Sequence, residues 1–402
     1  MPLLANYKQF NGTQWETGVV TNALAYQGVL APHNGKPFSE ALLFGISGGI
    51  VAGYFVFEYR GYEPRLHFLT RNTFDPMGMI FERLGIEVTE KRTASPEKAV
   101  TNLTDVLFEG KPAIVWADAA SFEYNNLDFD EAMWAMMPVL VFGYNENIGQ
   151  AQIADRARVA LTVSAASLAQ ARARTASNKN RLITLDAADS SKLPQAVEAG
   201  IRSCIEMFTG EPPRAPMKGK FGLDAFVRWA DLLTDTKNKK GWAKQFAPGE
   251  RMYAGLLSAY ETIELWGTGG NGARGLYADF MNEAAAVLAK PALKTVAKMF
   301  RNSQDLWKGL TEALLPDSVD LFRETRELMQ REFELFMQSG GESLEKRREI
   351  KVRLGELKYM AAEHFPLSEA ESAALREELG ERVLKIHAVE REAVETLGEI
   401  ME

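Results

Sequence analysis

A polar segment at residues 9–17 has the residue types and spacing of a nucleophile site, except that the reactive atom is missing. The segment reads Gln9-Phe10-Asn11-Gly12-Thr13-Gln14-Trp15-Glu16-Thr17, and the apolar periodicity that follows predicts a helix from Glu16 to Gln27. A thiol in the first turn of such a helix would have a low pKa, because the positive end of the helix dipole favours the thiolate. Position 15 holds tryptophan instead, and an indole cannot attack a carbonyl carbon.

Two roles are open for Trp15. The indole either fills the place that a thiolate would line, which buries a large apolar surface, or offers its face to an amine ligand as a cation–π platform. Gln9 and Gln14 lie beside it in the sequence, and we assign both to ligand binding.

Three carboxylates are candidate general bases. Glu16 stands in the first turn of the predicted helix, Asp118 ends a buried strand, and Asp155 ends a predicted hairpin. Arg156 and Arg158 follow Asp155 and are candidate ligand-binding residues. They are expected either to form an ion pair that anchors the loop or to clamp a substrate carboxylate.

The loop at residues 121–130 is rich in acids and amides and lies between two buried strands. Recognition often resides in such loops, and we assign Tyr124 to ligand binding. Asp128, Asp130 and Glu131 have oxygen atoms at alternating positions, which suits calcium, but the loop lacks the glycine and the final glutamate of an EF-hand. We therefore expect an unliganded acidic loop, with no metal and no other cofactor.

The first half of the chain mixes helix and strand periodicities, which predicts an α+β unit that positions these side chains. Ser39 is the predicted N-cap of a short helix, and Ser95-Pro96 is a second helix start. Strands are predicted at 54–59, 66–69, 87–92, 112–117, 139–144 and 150–154, with helices at 16–27 and 76–84. The last two strands form a hairpin with its turn at 145–149.

From Leu193 onward the pattern is almost wholly helical, which predicts a helical bundle. Helices are expected at 221–236, 248–266, 275–289, 291–313, 317–338, 342–363 and 368–400. The proline-rich stretch 212–216 places the domain change near it. The glycine-rich stretch 267–275 is expected to be a flexible or ligand-capping loop, in which Arg274 could meet an anion at the start of the next helix.

The net charge, the single cysteine and the lack of long apolar runs limit the partners and the compartment that we expect. The 402 residues carry 46 Lys plus Arg against 54 Asp plus Glu, and this net charge of -8 disfavours a nucleic-acid footprint. The single cysteine, Cys204, lies in an apolar pattern that predicts a buried thiol, and it suits a reducing compartment. The N-terminal residues lack a signal-peptide pattern, and no apolar run is long enough for a membrane helix. We expect a cytoplasmic protein with no membrane partner.

Four stretches carry a resemblance to a known family: WETGVVTNALAYQG (15–28), FSEALLFGISGGI (38–50), GKPAIVWADAASFEY (110–124) and MMPVLVFGYNENIGQAQIADRARVALTV (136–163). They resemble the N-terminal domain family named after butirosin biosynthesis protein H, over roughly residues 8–205. Residues 205–402 are similar to the helical domain of unknown function 4872 that commonly follows it. The resemblance implies an α+β papain-like (cysteine peptidase-like) domain at 1–205 and a mainly α-helical domain at 206–402.

The resemblance also implies that two catalytic positions are replaced. Family members usually read His-Cys-Glu-Thr where this chain has Gln14-Trp15-Glu16-Thr17, and papain-like folds carry a glutamine about six residues before the nucleophile, as Gln9 is here. Members often have a histidine just before the strand that begins at Val139. This chain has Met136 and Met137 there, so we assign Met137 to the ligand-binding set.

We therefore expect a non-covalent binding or accessory protein of a biosynthetic pathway. Its expected partner is a small amine or acyl-peptidyl ligand, or an acyl-carrier protein. The alternative is an acyl or aminoacyl transferase with Glu16, Asp118 or Asp155 as general base, since aminolysis of a thioester needs mainly positioning and proton removal. A third alternative is a structural scaffold that forms a homodimer through its C-terminal helices.

Overall fold

The computed structural model describes residues 2–129, 134–186, 188–265 and 269–402. The chain forms two compact units that are interleaved along the sequence. Unit 1 contains Met1–Leu43, Pro76–Leu193 and Glu332–Glu349, and unit 2 contains Phe44–Asp75, Pro194–Arg331 and Ile350–Glu402. Each unit consists of three separate segments of the chain. The division into sequence domains at 1–205 and 206–402 stays a prediction.

The N-terminal region alternates helices with strands. Its elements are α1 (Trp15–Tyr26), β1 (Leu30–Ala31), β2 (Lys36–Pro37), α2 (Glu40–Ile46), β3 (Ile50–Phe57), β4 (Arg65–Arg71), α3 (Pro76–Leu84), β5 (Val88–Lys91), α4 (Pro96–Phe108), β6 (Ala113–Asp118), β7 (Met136–Asn145), β8 (Gln150–Ala154), β9 (Leu161–Ser164), α5 (Ala165–Ala173), β10 (Leu182–Leu185) and α6 (Leu193–Thr209). The mixed α/β region is therefore confirmed, while its papain-like character stays a prediction.

In the described part of unit 1, six strands form one antiparallel sheet in the order β5-β10-β6-β7-β8-β9. β6 pairs with β7 so that Asp118 lies opposite Met136 and Ala117 lies opposite Met137. β7 and β8 form the hairpin that the sequence predicts. Met136 and Met137, at the start of β7, therefore lie beside the carboxyl end of β6.

The local start signals of two helices in unit 1 act as the sequence predicts. Ser39 Oγ accepts a hydrogen bond from Leu42 N at 3.0 Å at the start of α2. Ser95 Oγ accepts one from Lys98 N at 3.2 Å at the start of α4. Both side chains satisfy a backbone N–H that has no partner inside its helix.

The described chain after α6 is mainly helical, as predicted. Its helices are α7 (Leu223–Thr234), α8 (Trp242–Gln245), α9 (Glu250–Tyr260), α10 (Arg274–Val287), α11 (Leu293–Leu314), α12 (Asp320–Ser339), α13 (Leu344–Glu363) and α14 (Glu369–Met401), with a π-helical turn at Glu261–Leu265 after α9. In unit 2 these helices pack with the antiparallel pair β3 and β4.

Arg274 forms a buried ion pair with Glu390 in the core of unit 2. The expectation that Arg274 meets a ligand anion is therefore wrong. Arg274 is fully buried, and its Nε and Nη2 each lie 2.7 Å from a carboxylate oxygen of Glu390. Arg274 also donates to the carbonyl oxygens of Thr70 and Val51. The prediction for Cys204 is confirmed, since its side chain is fully buried.

None of the described helices is both long and apolar enough to cross a membrane. Asp130 and Glu131 of the acidic loop lie outside the described residues, as do Gly267 and Thr268 of the glycine-rich stretch.

Candidate functional site

The start of α1 is held by a buried carboxylate from α2. Glu40 Oε1 accepts hydrogen bonds from Gln14 N at 2.9 Å and Thr17 Oγ1 at 3.0 Å. Its Oε2 accepts from Thr13 N at 2.8 Å and Thr13 Oγ1 at 2.7 Å. Burial raises the pKa of Glu40, although these four hydrogen bonds oppose that shift. Glu40 thus fixes the turn from which Trp15 projects, and its charge lies at the positive end of α1.

Trp15 is buried and its ring is covered by a cation from the same unit. The side chain is 5% exposed. The guanidinium carbon of Arg156 lies 4.1 Å from the centroid of the indole, which is well inside cation–π range. Trp15 is therefore both buried and stacked against Arg156.

Arg156 is anchored by side chains from the segment that precedes β7 and from the end of β8. Its Nη2 donates to Asn125 Oδ1 at 2.6 Å. Its Nε lies 3.4 Å from Asp155 Oδ1, and its Nη2 lies 3.5 Å from Asp155 Oδ2. Asp155 Oδ2 also accepts from Tyr124 OH at 3.1 Å. Burial and, next, the charge of Asp155 raise the pKa of Tyr124 well above its ordinary value.

A second aromatic ring near Arg156 is that of Phe336, which belongs to the segment Glu332–Glu349 of unit 1. The guanidinium carbon of Arg156 lies 4.9 Å from the Phe336 centroid, and that of Arg347 lies 5.1 Å from it. Phe336 and the ring of Tyr124 stack with centroids 6.2 Å apart. The guanidinium of Arg156 thus lies within cation–π range of two aromatic rings, one from α1 and one from α12.

Arg347 ties this segment to the rest of unit 1. Its Nη1 donates to the carbonyl oxygen of Tyr124 at 2.5 Å, and its Nη2 lies 3.8 Å from Glu332 Oε1. Asn126 Nδ2 bridges the same two elements, since it donates to Glu332 Oε1 at 2.7 Å and to the Arg347 carbonyl at 3.1 Å. Burial lowers the pKa of Arg347, Glu332 opposes that shift, and the charge of Arg156 adds to it.

Asp118 forms a separate, fully buried cluster at the end of β6. Its Oδ1 accepts from Ala135 N at 2.9 Å, and its Oδ2 accepts from Ser121 Oγ at 2.8 Å. Arg174 Nε lies 3.7 Å from Oδ2. Both oxygens are therefore used to hold the segments that follow β6 and precede β7.

The remaining candidates lie around these two clusters. Gln14 is 1% exposed, and its Nε2 has no hydrogen-bond partner among the described residues. Glu16 is half-buried in the first turn of α1, and Gln9 is half-buried with its Oε1 accepting from Lys8 N at 2.8 Å. Arg158 is exposed.

The candidates therefore divide into groups. Trp15 contacts Arg156, Arg156 contacts Asp155 and Asp155 contacts Tyr124, so these four form one group, whereas Met137 lies on β7 opposite Ala117. Within the described part of the chain, no three His, Cys, Asp or Glu side chains are grouped to hold a metal ion.

Three residues of this site were not found from the sequence. Glu40 reads as an ordinary first-turn acid of a short helix, so nothing in its neighbourhood indicates that it accepts bonds from α1. Phe336 and Arg347 lie on the inner faces of long charged helices, where they read as bundle positions. Only the three-dimensional arrangement brings these residues to Trp15 and Tyr124.

Comparison with known families gives two matches. Residues 14–156 match the profile of a family described as "Butirosin biosynthesis protein H, N-terminal". Residues 166–331 match that of "Domain of unknown function (DUF4872)". No curated protein matches the chain. The first match spans Trp15 to Arg156, while Phe336 and Arg347 lie beyond the end of the second.

Proposed function

We propose that this chain, in which a butirosin biosynthesis protein H N-terminal domain is followed by domain of unknown function 4872, is a non-catalytic binding or accessory protein of a biosynthetic pathway. The domain order is that of a biosynthesis-related, acyltransferase-like protein. On this proposal the chain has the domains of such a protein but forms no covalent acyl intermediate.

The observation that carries the proposal is the buried stack of Trp15 and Arg156. Covalent acyl transfer needs a nucleophilic atom that an acyl carbonyl can reach. At position 15 the chain offers an indole that is 5% exposed, with a guanidinium 4.1 Å from its centroid. This arrangement supports ligand recognition by stacking and charge, and it supplies no acyl acceptor.

The buried carboxylates support the same proposal. A general base must come within hydrogen-bond reach of the proton that it removes. Asp118 is fully buried, with both oxygens accepting protein hydrogen bonds. Asp155 is 4% exposed and contacts Tyr124 and Arg156. Among the three candidate bases, Glu16 has the most exposed position, so it is the residue on which the transferase alternative depends.

The test is a search for acyl transfer to amines. The protein is incubated with acetyl and benzoyl thioesters of N-acetylcysteamine and with ethanolamine or putrescine, and amide products are quantified by mass spectrometry. We expect the same rate of amide formation with and without protein. A protein-dependent rate that falls in Glu16→Gln or Asp155→Asn variants would establish the transferase alternative and refute the proposal.

A scaffold role is the second candidate, and the outer face of α13 favours it. Val352, Tyr359 and Met360 are 66%, 67% and 47% exposed, and the last two follow Val352 by about two turns on the same side of the helix. An apolar stripe of this kind suits pairing with a second copy of the chain. Sedimentation velocity tests it: Val352→Lys should abolish any concentration-dependent dimer, whereas Val227→Lys, at an exposed valine of α7, should leave it unchanged.

A further inference from the structure

Trp15 and Phe336 form the two walls of a small aromatic cage. The guanidinium carbon of Arg156 lies 4.1 Å from one centroid and 4.9 Å from the other. Aromatic faces attract cations over this range, and a planar guanidinium gains further contact by stacking flat on a ring. The cage therefore has the geometry of a guanidinium site, and the chain's own Arg156 occupies it.

Arg156 contacts its carboxylate partner at longer distances than Arg274, a buried arginine of the same chain, contacts its own. Arg274 is fully buried and makes two contacts of 2.7 Å with Glu390, with its guanidinium carbon 4.9 Å from the ring of Trp307. Arg156 has one short hydrogen bond, 2.6 Å to the uncharged amide oxygen of Asn125, but it lies 3.4 Å and 3.5 Å from the oxygens of Asp155, beyond the 2.7–2.9 Å that is typical of a charge-assisted hydrogen bond. Asp155 thus keeps capacity to accept stronger bonds from another donor.

Arg156 also has a route out of the cage. Its side chain is 12% exposed, compared with 0% for Arg274. It lies in the bend between β8 and β9, where its backbone belongs to no strand. A rotation of its side chain would therefore open the cage without breaking the sheet.

The second wall of the cage comes from outside both family matches. Phe336 belongs to Glu332–Glu349, which packs in unit 1 although it follows the end of the second match at residue 331. Arg347 and Asn126 fix this segment through the carbonyl oxygen of Tyr124 and the carboxylate of Glu332. The complete cage is thus a property of this chain's C-terminal helices together with α1.

We propose that the space between Trp15 and Phe336 is a binding site for a guanidinium group, with Asp155 as its counter-ion, and that Arg156 is a tethered occupant that the ligand displaces. The inference rests on the proposed function, because it requires that the Trp15 position binds and does not react. It names the ligand class as a guanidino compound or an arginine side chain. Arg156 competes with the ligand for this site and so lowers the affinity of the chain for the ligand.

The test measures binding of ethylguanidinium by calorimetry to the wild-type chain and to Arg156→Ala. Removal of the tethered group empties the cage, so we expect Arg156→Ala to bind ethylguanidinium at least about tenfold more tightly than the wild type does. N-ethylurea has the same shape and no charge, and ethylammonium has the charge and no plane; both should bind Arg156→Ala at least about tenfold more weakly. Arg92→Ala, at an exposed arginine just after β5, should behave as the wild type.

Three results would overturn the inference. They are equal binding of ethylguanidinium by Arg156→Ala and the wild type, equal binding of ethylguanidinium and N-ethylurea by Arg156→Ala, and unchanged binding when Phe336→Ala is added to Arg156→Ala. If Arg156→Ala does not fold, Arg156→Met keeps the length of the side chain, and its cage should open to the probe when the thioether rotates away. A failed binding test leaves the amide-formation assay unaffected, so the two proposals fail separately.

Discussion

Replacing Glu40 by glutamine tests how the start of α1 is held. Glutamine keeps one acceptor oxygen, which can still receive the bonds from Gln14 N and Thr17 Oγ1 that reach Oε1. Its NH2 group would then face Thr13 N, a donor that lies 2.8 Å from Oε2 of the native glutamate. A buried N–H without an acceptor costs about 1–3 kcal/mol, and the hydrogen bonds that remain lose the charge of their acceptor. We expect the free energy of unfolding to fall by about 2–4 kcal/mol.

The pH dependence of this loss has a definite sign. Burial raises the pKa of Glu40, so the folded state binds the proton more tightly than the unfolded state does. The free energy of unfolding contributed by Glu40 is therefore full below pH 4.5, falls as the pH rises through its folded pKa, and is constant above it. Glu40→Gln lacks this slope, so the difference from the wild type should be larger at pH 4 than at pH 8.

Urea unfolding followed by circular dichroism at several pH values measures both effects. Glu371→Gln is the matched control, because Glu371 also accepts a backbone N–H at a helix start, from Ser368 N at 2.8 Å, but it is exposed. Its hydrogen bonds to Ser368 lower the pKa of Glu371, so its small contribution is present above pH 4.5 and is lost on acidification. A Glu40→Gln variant as stable as Glu371→Gln would refute the account of α1, whereas a difference that grows with pH would show that the pKa of Glu40 is lowered and not raised.

Three further predictions concern stability. Asp118→Asn should lower the free energy of unfolding by about 2–3 kcal/mol in urea titrations, because both oxygens of this buried carboxylate accept hydrogen bonds, and a loss under 0.5 kcal/mol would contradict that role. Burial, with the charges of two neighbouring arginines, lowers the pKa of His67 to about 4, so the wild type should lose about 3 kcal/mol between pH 7 and pH 4 that His67→Gln does not lose. An identical pH profile for His67→Gln would refute this assignment. Glu390→Gln should cost about 3–5 kcal/mol because it leaves the charge of Arg274 buried without its counter-ion, and a near-neutral result in thermal unfolding would be incompatible with that pair.

The local elements follow from the sequence, whereas their assembly does not. α1, the β7–β8 hairpin and the Ser95 cap rest on signals within a few residues, so periodicity and capping rules predict them. β10 was missed because its four residues, Leu-Ile-Thr-Leu, are too short for a clear pattern, although it pairs with both β5 and β6. The assignment of Glu332–Glu349 to unit 1 depends on contacts between residues that are distant in the chain, and no local pattern encodes them.

The candidate site was predicted in the same partial way. Trp15, Tyr124, Asp155 and Arg156 were named from residue type and position, and in the structure they are connected by contacts through Arg156 and Asp155. The stacking of Arg156 on Trp15 was not predicted, because the sequence indicates charge and aromatic content but not which cation faces which ring. The closure of the site by Phe336 depends on tertiary packing alone.

The most direct test of the central claim is the intact mass of the chain after incubation with an acyl thioester. The native chain has one cysteine, and burial raises the pKa of Cys204 to about 12, which keeps that thiol unreactive. We predict that the wild type gains no acyl group and that Trp15→Cys gains one, located at residue 15 by peptide mapping, because the start of α1 favours a thiolate there. An acyl group on the wild-type chain, or a folded Trp15→Cys variant that stays unmodified, would contradict the claim that Trp15 stands at the position of a nucleophile.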